Sequence, residues 1–483
     1  MDDIIADKHK KLEALHEQEI NAYPHSYDVT HKSATILKEF NSVTSEPSEE
    51  IVSVAGRIMQ LRDMGKIAFV KIQDISGQIQ AFISKDDTKN FSVLKQLEIG
   101  DIIGVNGPVF RTKTKEITVR AHKLTILAKS LQPMPEKFHG LQDVELRYRK
   151  RYLDLLYNQD SKKRFIQRAK IVSAIRRFLD KQGFIEVDTP ILQQQYGGAN
   201  ARPFVTHHNA LDLQLYLRIS NELYLKRLII GGLDKVYEIA RDFRNEGIDT
   251  THNPEFSQVE WYQAYADYHT MMSQAEELIS AISQQLHDTT TITIGENKVS
   301  LKPPFKRISM VDSLKEYADI DVMSMDEKEI LSFCKQKNIS LPTQSWGHAV
   351  QELFDEYVED QLIQPTFIMD YPKETSPLTK VHRKDDRFVE RFELFVNGWE
   401  LGNAYSELTD PRDQRERFEQ QVKDREGGDD EAHPMDEEFL EAIEHGMPPT
   451  GGIGIGIDRL VMLLTDTESI RDVILFPAMK PRQ

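Results

Sequence analysis

A single cysteine, Cys334, stands among 483 residues, which excludes an internal disulfide framework and any zinc site built on several thiolates. Long apolar runs are missing too: no stretch approaches the ~18–20 apolar residues of a membrane-spanning helix, so no membrane partner is expected. The start, Met1-Asp2-Asp3 and then Lys8-His9-Lys10-Lys11, has no apolar segment behind it and does not read as a secretory signal. Internal repeats, low-complexity tracts and a Gly-rich P-loop are likewise absent. Together these absences favour a cytoplasmic protein. Excess positive charge is also lacking. The net charge is −17, whereas a polyanionic partner favours a basic surface. The deficit is uneven: residues 51–130 carry 13 Lys and Arg against 7 Asp and Glu, a balance of +6 that leaves −23 for the remainder. A basic module on an acidic body marks a local nucleic-acid contact, unless the module is basic only because it is small.

With 39% hydrophobic and 29% charged residues, the chain has the mass for two or three globular domains. Residues 1–45 read as a helical arm with Ile5, Leu12, Leu15 and Ile20 toward one face, which serves as an arm, a dimer contact or a lid. Residues 46–130 switch to strands rich in Ile, Val and Phe, at 52–61, 67–73, 78–84, 101–110 and 116–127. A short helical segment near 88–97 separates the third from the fourth. That order is an OB-fold β-barrel, a common carrier of single-stranded nucleic-acid sites. Residues 131–155 read as a linker, with Pro133, Pro135, Gly140 and the basic run Arg147-Tyr148-Arg149-Lys150-Arg151. The rest, 156–483, mixes long helices with strands distant in sequence, an α+β pattern. Within it, helices at 270–286 and 326–338 carry little chemistry, and about 270–345 reads as an insertion or peripheral subdomain. The charged stretch 410–445 reads as a solvated helical face.

Four constellations follow in the α+β part. A helical stripe of Phe165, Ala169, Val172, Ile175 and Leu179 leads into a strand at 184–189 that Pro190 stops. Next, strands at 236–243 and 255–265 flank a polar loop holding Arg244, Glu246 and His252. Two-residue alternation puts Phe256, Gln258, Glu260 and Tyr262 on one face of the second strand. Third, Asn397-Gly398 is a type I′ hairpin signal between 392–396 and 399–401. A two-residue loop would pair Phe395 with Glu400 and Glu393 with Gly402. Glu393 and Glu400 then become diagonal neighbours able to share a cation, Mg²⁺ for choice. Asn403, Tyr405 and Glu407 have the opposite parity to Glu400, so a bulge near Gly402 is required if all five line one site. Last, Gly452-Ile453-Gly454-Ile455-Gly456-Ile457-Asp458-Arg459 gives a strand with one bare face, the isoleucines anchoring the other. A flat ligand can lie on such a face beside Arg459.

At these residues the chain resembles the class II aminoacyl-tRNA synthetases, whose three signature motifs match the elements in order. Over nearly its whole length it is most similar to the lysyl-tRNA synthetase family, through Asn221-Glu222-Leu223-Tyr224-Leu225-Lys226-Arg227, Phe243-Arg244-Asn245-Glu246-Gly247, His252-Asn253-Pro254-Glu255-Phe256 and Gly402-Asn403-Ala404-Tyr405-Ser406-Glu407-Leu408. The resemblance implies a six-stranded antiparallel catalytic sheet, a homodimer built partly through the first motif, and ATP, L-lysine and tRNA(Lys) as substrates. Arg244 is implied to bridge the lysine carboxylate and the α-phosphate, and Glu246 and His252 to serve the ATP. Adenine is implied to lie between Phe256 and Arg459, with Gly456 ending the bare strand beside it. Glu393 and Glu400 match the Mg²⁺ ligands. Gly198, Glu222 and Asn403 match positions around the α-amino and carboxylate groups, and Glu260, Tyr262, Tyr405 and Glu407 those around the ε-ammonium. In the barrel, Phe69 and Gln80 share an outward face suited to stacking and reading a base, and the family assigns the anticodon to that face with Arg57 nearby. Three rivals stay open: a related aspartyl or asparaginyl synthetase, a paralogue that attaches lysine to protein, and an RNA-binding protein with a silent catalytic domain.

Overall fold

In a computed structural model, the residues described are 2–134, 141–426 and 434–481. They fall into two compact units, 1–140 and 141–483. Part of the linker (135–140) and part of the charged stretch (427–433) lie outside the described residues.

Alternating Val and Ile residues build the first unit: Val52, Val54, Ala68, Val70, Ile72, Ile79 and Ala81 point inward and are buried. The strands are β1 (Ile51–Asp63), β2 (Ile67–Gln73), β3 (Gln78–Ser84), β4 (Ile102–Arg111), β5 (Ile117–Arg120) and β6 (Lys123–Ala128). They run β1-β2-β3-β5-β4, with β4 closing back on β1 and β6 added to β4. One strand expected over 116–127 is thus two. β5 pairs with Val109–Arg111 at one end of β4, while β6 pairs with Ile102–Asn106 at the other, and no single straight segment can do both. The short helix is a 3₁₀ turn, Phe91–Gln96. In the N-terminal segment only Asp2–Glu17 and Ser33–Glu39 are helical. Leu15 is buried in the barrel core with Leu12 and Ile20 packed beside it, and Lys8 and Lys11 reach Glu98 at 3.4 and 2.9 Å. The first helix thus packs onto the barrel.

The second unit is an α+β domain around one large sheet. Its strands are β7 (Ile185–Glu186), β8 (Lys235–Phe243), β9 (Glu255–Ala264), β10 (Lys306–Ser309), β11 (Thr366–Pro372), β12 (Phe388–Val396), β13 (Trp399–Ser406) and β14 (Thr450–Gly456). The order is β10-β11-β12-β13-β14-β9-β8-β7. The six central strands are antiparallel, and a short parallel strand is added at each edge. Helices Gln159–Lys181, Tyr268–His287 and Ile457–Leu464 cover one face, where Phe392 and Leu394 of β12 and Ile453 and Ile455 of β14 meet them in the main core. The other face carries the site.

Two expectations are corrected here. The helix read at 270–286 is not peripheral: Met271, Met272, Ala275, Leu278, Ile279 and Ile282 are central to the main core. Helical spacing reveals a buried face but not what buries it. The helix Glu327–Gln336 belongs instead to a separate cluster, with Leu314, Leu353 and Phe395. The stretch read as linker also contains helices, Val144–Arg149 and Arg151–Tyr157. Its basic run is partly structural, since Arg151 is fully buried, paired with Asp154 at 2.7 Å and bonded to the carbonyls of Arg471, Ile474 and Leu475. Among the described residues no helix is long and apolar enough to cross a membrane.

Candidate active site

Register, read across the sheet, assembles the site. One row of paired residues runs Glu393, Asn403, Gly454, Glu260 and Glu238; the adjoining row runs Arg391, Tyr405, Gly452, Tyr262 and Val236. The rows hold this register because of a bulge in β13. Phe395 pairs with Glu400 as the hairpin requires, but Leu394 pairs with Gly402 and Glu393 with Asn403, so Leu401 is the extra residue. Leu401 drops into the main core, and the parity of β13 flips behind it. Glu393 therefore does not face Gly402, a correction to the simple pairing. The bulge required beside Gly402 is present, and it puts Glu400, Asn403 and Tyr405 on one face.

Near the rows' centre lies a pocket of buried carboxylates. Glu260 accepts hydrogen bonds from Ser220 at 3.2 Å, Gln258 at 2.5 Å and Tyr262 at 3.1 Å. No cation pairs with it among the described residues. Burial, with the charges of Asp242 and Glu222 nearby, pushes its carboxyl well above the usual range. The alternate glycines make the room. A Cβ on Gly452 would strike Glu407 Oε1 and the Tyr262 ring, and one on Gly454 would touch Glu260. Glu407 is pushed up to about 8 by burial and by Glu222, against the pull of Lys226. Lys226 was not among the expected site residues, yet its Nζ lies 2.5 Å from both Glu222 and Glu407. Gly198, at φ +89°, brings its loop onto Ser220 and Glu222, where a Cβ would sit 2.9 Å from Ser220 Oγ.

A second missed residue is Arg391. It donates to Glu393 at 2.6 Å, to Asn403 Oδ1 at 3.2 Å and to Ser376 Oγ at 2.9 Å, and it stacks over Tyr371 at 4.4 Å. Its parity with Glu393 on one strand was the signal that could have found it. Tyr371 donates to the other oxygen of Glu393 at 2.8 Å.

Beyond this pocket two arginines join the carboxylates. Arg244 follows β8, its guanidinium 5.1 Å from the centre of the Phe256 ring, and its Nε is buried without a hydrogen-bond partner among the described residues. That orphan donor is set for an anion. At the start of the Ile457–Leu464 helix, Arg459 donates to the Glu400 carbonyl at 2.8 Å and carboxylate at 3.1 Å, and lies 3.2 Å from His252 Nε2. His252 is held at Nδ1 by Asp249, 2.8 Å away. Glu246 is exposed in the same loop, and Gly456 precedes the helix. Glu393 and Glu400 do share one neighbourhood: burial, then the charge of Glu400, raises Glu393 against the pull of Arg391. Close by, burial and these carboxylates push Asp355 up to about 8 and Glu359 up to about 7. Such surplus negative charge fits a hard divalent cation, and two carboxylates completed by substrate phosphates suit Mg²⁺.

On the barrel, Phe69 is half-buried and pairs across strands with Phe82, ring centres 5.2 Å apart; Phe110 continues the stripe at 6.0 Å. Gln80, opposite Lys71, shares this face and donates to Thr118 at 3.0 Å. Arg57 pairs with Gln73 on the same face and donates to the Gly100 carbonyl at 2.6 Å. Phe82 and Phe110 were missed, although Phe82 alternates with Gln80 and was open to the same argument.

Sequence comparisons agree with this geometry. Residues 143–480 match the tRNA synthetases class II (D, K and N), and residues 52–127 match the OB-fold nucleic acid binding domain. The chain is 51% identical to the lysine–tRNA ligase of Shouchella clausii (strain KSM-K16), the match spanning 100% of this chain and 98% of that one. It is 50% identical to the lysine–tRNA ligase of Bacillus subtilis (strain 168), over 100% and 98%. With the enzyme of that name from Enterococcus faecalis (strain ATCC 700802 / V583), identity is 51% over 98% and 96%.

Proposed function

The chain belongs to the class II tRNA synthetases (D, K and N), and from that premise we infer that it is a lysine–tRNA ligase. It joins L-lysine to ATP as lysyl-adenylate with release of pyrophosphate, then passes lysine to the 3′ end of tRNA(Lys). The observation that carries the choice of amino acid is Glu260, a buried carboxylate with three hydrogen-bond donors and no cation among the described residues. An ε-ammonium supplies the missing charge, whereas a neutral or acidic side chain leaves it unpaired. A mismatch of that kind rejects competitors by ~10⁴ or more.

For the first step the substrate carboxylate is already ionised, so its oxygen attacks the α-phosphorus without a general base. The protein's part is alignment and neutralisation. We assign Arg244 to the carboxylate and α-phosphate, since its orphan Nε and the Phe256 ring lie together. Arg459, with His252 beside it, takes the phosphates and adenine, Glu246 assists, and Gly456 leaves the ring its space. Glu222, Gly198 and Asn403 serve the α-amino end; Tyr262, Tyr405 and Glu407 frame the ε-ammonium with Glu260. Glu393 and Glu400 would hold Mg²⁺, which when bound neutralises the polyphosphate and orients its leaving pyrophosphate. Phe69, Gln80 and Arg57 take the anticodon. The homodimer reading is supported by exposed Ile185, Leu192 and Val205, at 49%, 50% and 59%, the first within the strand of the first motif and the others along the segment after it. We place the enzyme in the cytoplasm, with its substrates. The test is ATP–pyrophosphate exchange across an amino-acid panel, then charging of total tRNA. Lysine alone should drive both; exchange driven by aspartate or asparagine would overturn the assignment.

A further inference from the structure

Lys226 is fully buried and has no part in the assignments above. It lies one turn into the Glu222–Ile230 helix, with Nζ 2.5 Å from Glu222 Oε1 and 2.5 Å from Glu407 Oε2. The Phe439 ring closes the space behind it at 5.9 Å. No solvent reaches it, so the two carboxylates share one permanent cation.

The charges that act on this point come from three of the elements packed around it, while the Glu437–Glu444 helix behind presents the Phe439 ring. The helix contributes Glu222 and Lys226 itself, β9 contributes Glu260 and Tyr262, and the end of β13 contributes Tyr405 and Glu407. The bare face of β14 contributes nothing. From farther off, Asp242 acts on Glu260 and Arg391 on Glu222. The immediate pocket thus has three carboxylates and one ammonium. Free lysine brings two ammonium groups, and its carboxylate goes to Arg244, so the occupied pocket is balanced. A buried carboxylate that lacks a cation takes a proton instead.

We propose that Lys226 is a positioning residue that sets the charge balance of the amino-acid pocket, holding Glu222 and Glu407 so that the pocket is two positive charges short and a diammonium substrate completes it. This rests on the lysine reading of the same pocket. Lysine enters with its ammonium groups protonated, and any carboxyl proton it displaces passes to solvent. A merely structural ion pair would stabilise the fold without governing the pH at which lysine is accepted.

The experiment is the pH profile of kcat/KM for lysine in ATP–pyrophosphate exchange, from pH 6 to 9, in wild type, Lys226→Met and Lys226→Arg, with KM for ATP in parallel. Removing the resident cation disfavours the ionised carboxylates, so the acid limb of Lys226→Met should move to higher pH by about one unit. At neutral pH its KM for lysine should rise about tenfold or more, with KM for ATP changed less than about threefold. Lys226→Arg should return the limb toward wild type. A folded Lys226→Met with an unmoved limb overturns the proposal, as does an arginine variant that shifts equally. If Lys226→Met does not fold, Lys226→Gln, which keeps a polar partner for both carboxylates but removes the charge, takes its place. Its limb should move upward as stated for methionine, and an unmoved limb overturns the proposal. Wild-type enzyme with no lysine-dependent exchange would instead overturn the function itself.

Discussion

The barrel and the catalytic sheet solve recognition in opposite ways. On the barrel the proposed reading surface is a stripe of half-buried rings, Phe69, Phe82 and Phe110, laid on strands whose inward residues already make the core. On the sheet, the rows from Glu393 to Glu260 bury carboxylates whose counter-charges are incomplete. A stacking platform accepts any base of the right shape and costs the fold little, whereas buried charge rejects what does not match it and costs the empty protein stability.

The largest effect should come from the sheet. Glu260→Gln keeps the shape and removes the waiting charge, so lysine activation should fall by at least ~3 kcal/mol in transition-state terms, measured as kcat/KM in pyrophosphate exchange. Near-normal exchange would erase the contrast with the barrel. Next, Glu393→Gln and Glu400→Gln should lower adenylate formation on the order of 100-fold and shift its Mg²⁺ dependence upward, leaving lysine affinity without ATP little changed. Titration of exchange against Mg²⁺ in both variants checks this, and unaltered curves would remove these carboxylates from the metal. On the barrel, Phe69→Ala should spare exchange and weaken tRNA charging by ~1–3 kcal/mol, the worth of stacking one base; a parallel fall in both would make Phe69 structural.

The smallest effect concerns the empty pocket. Asp242, up to about 6, and Glu407, up to about 8, hold protons in the folded protein that the unfolded chain releases near its ordinary carboxylate range. The folded state therefore binds more protons between those limits, and stability should fall as pH rises from 5 to 8. The melting temperature without ligand should drop by roughly a few degrees over that range, and saturating lysine should reduce the drop. A flat profile would mean that the charges are already compensated.

Much of this was legible in the residues. Alternation put Phe256, Gln258, Glu260 and Tyr262 on one face of β9, and the glycine repeat bared one face of β14, because strand parity fixes faces without reference to anything distant; that the two strands pair, Glu260 beside Gly454, was not legible. The bulge followed from parity as well: five residues could share a face only if one residue were inserted near Gly402, and Leu401 is that residue. Other features depended on partners far along the chain. Helical periodicity could not tell that Tyr268–His287 packs under the sheet. Lys226 was named only within a stretch that carries the family resemblance, and nothing local shows that the fold brings Glu407 across to it. The break between β5 and β6 arises from the closure of the barrel, which no local pattern expresses.

The most direct test of the uncompensated charge at Glu260 compares lysine with norleucine, which has the same chain length but no ε-ammonium. The ratio of kcat/KM values in pyrophosphate exchange should be at least ~10⁴ in favour of lysine in the wild type. In Glu260→Gln that ratio should collapse by two orders of magnitude or more, on the order expected for a lost buried charge pair. A ratio that stays at the wild-type value in the variant would contradict the account, because lysine would then be chosen by something other than this carboxylate.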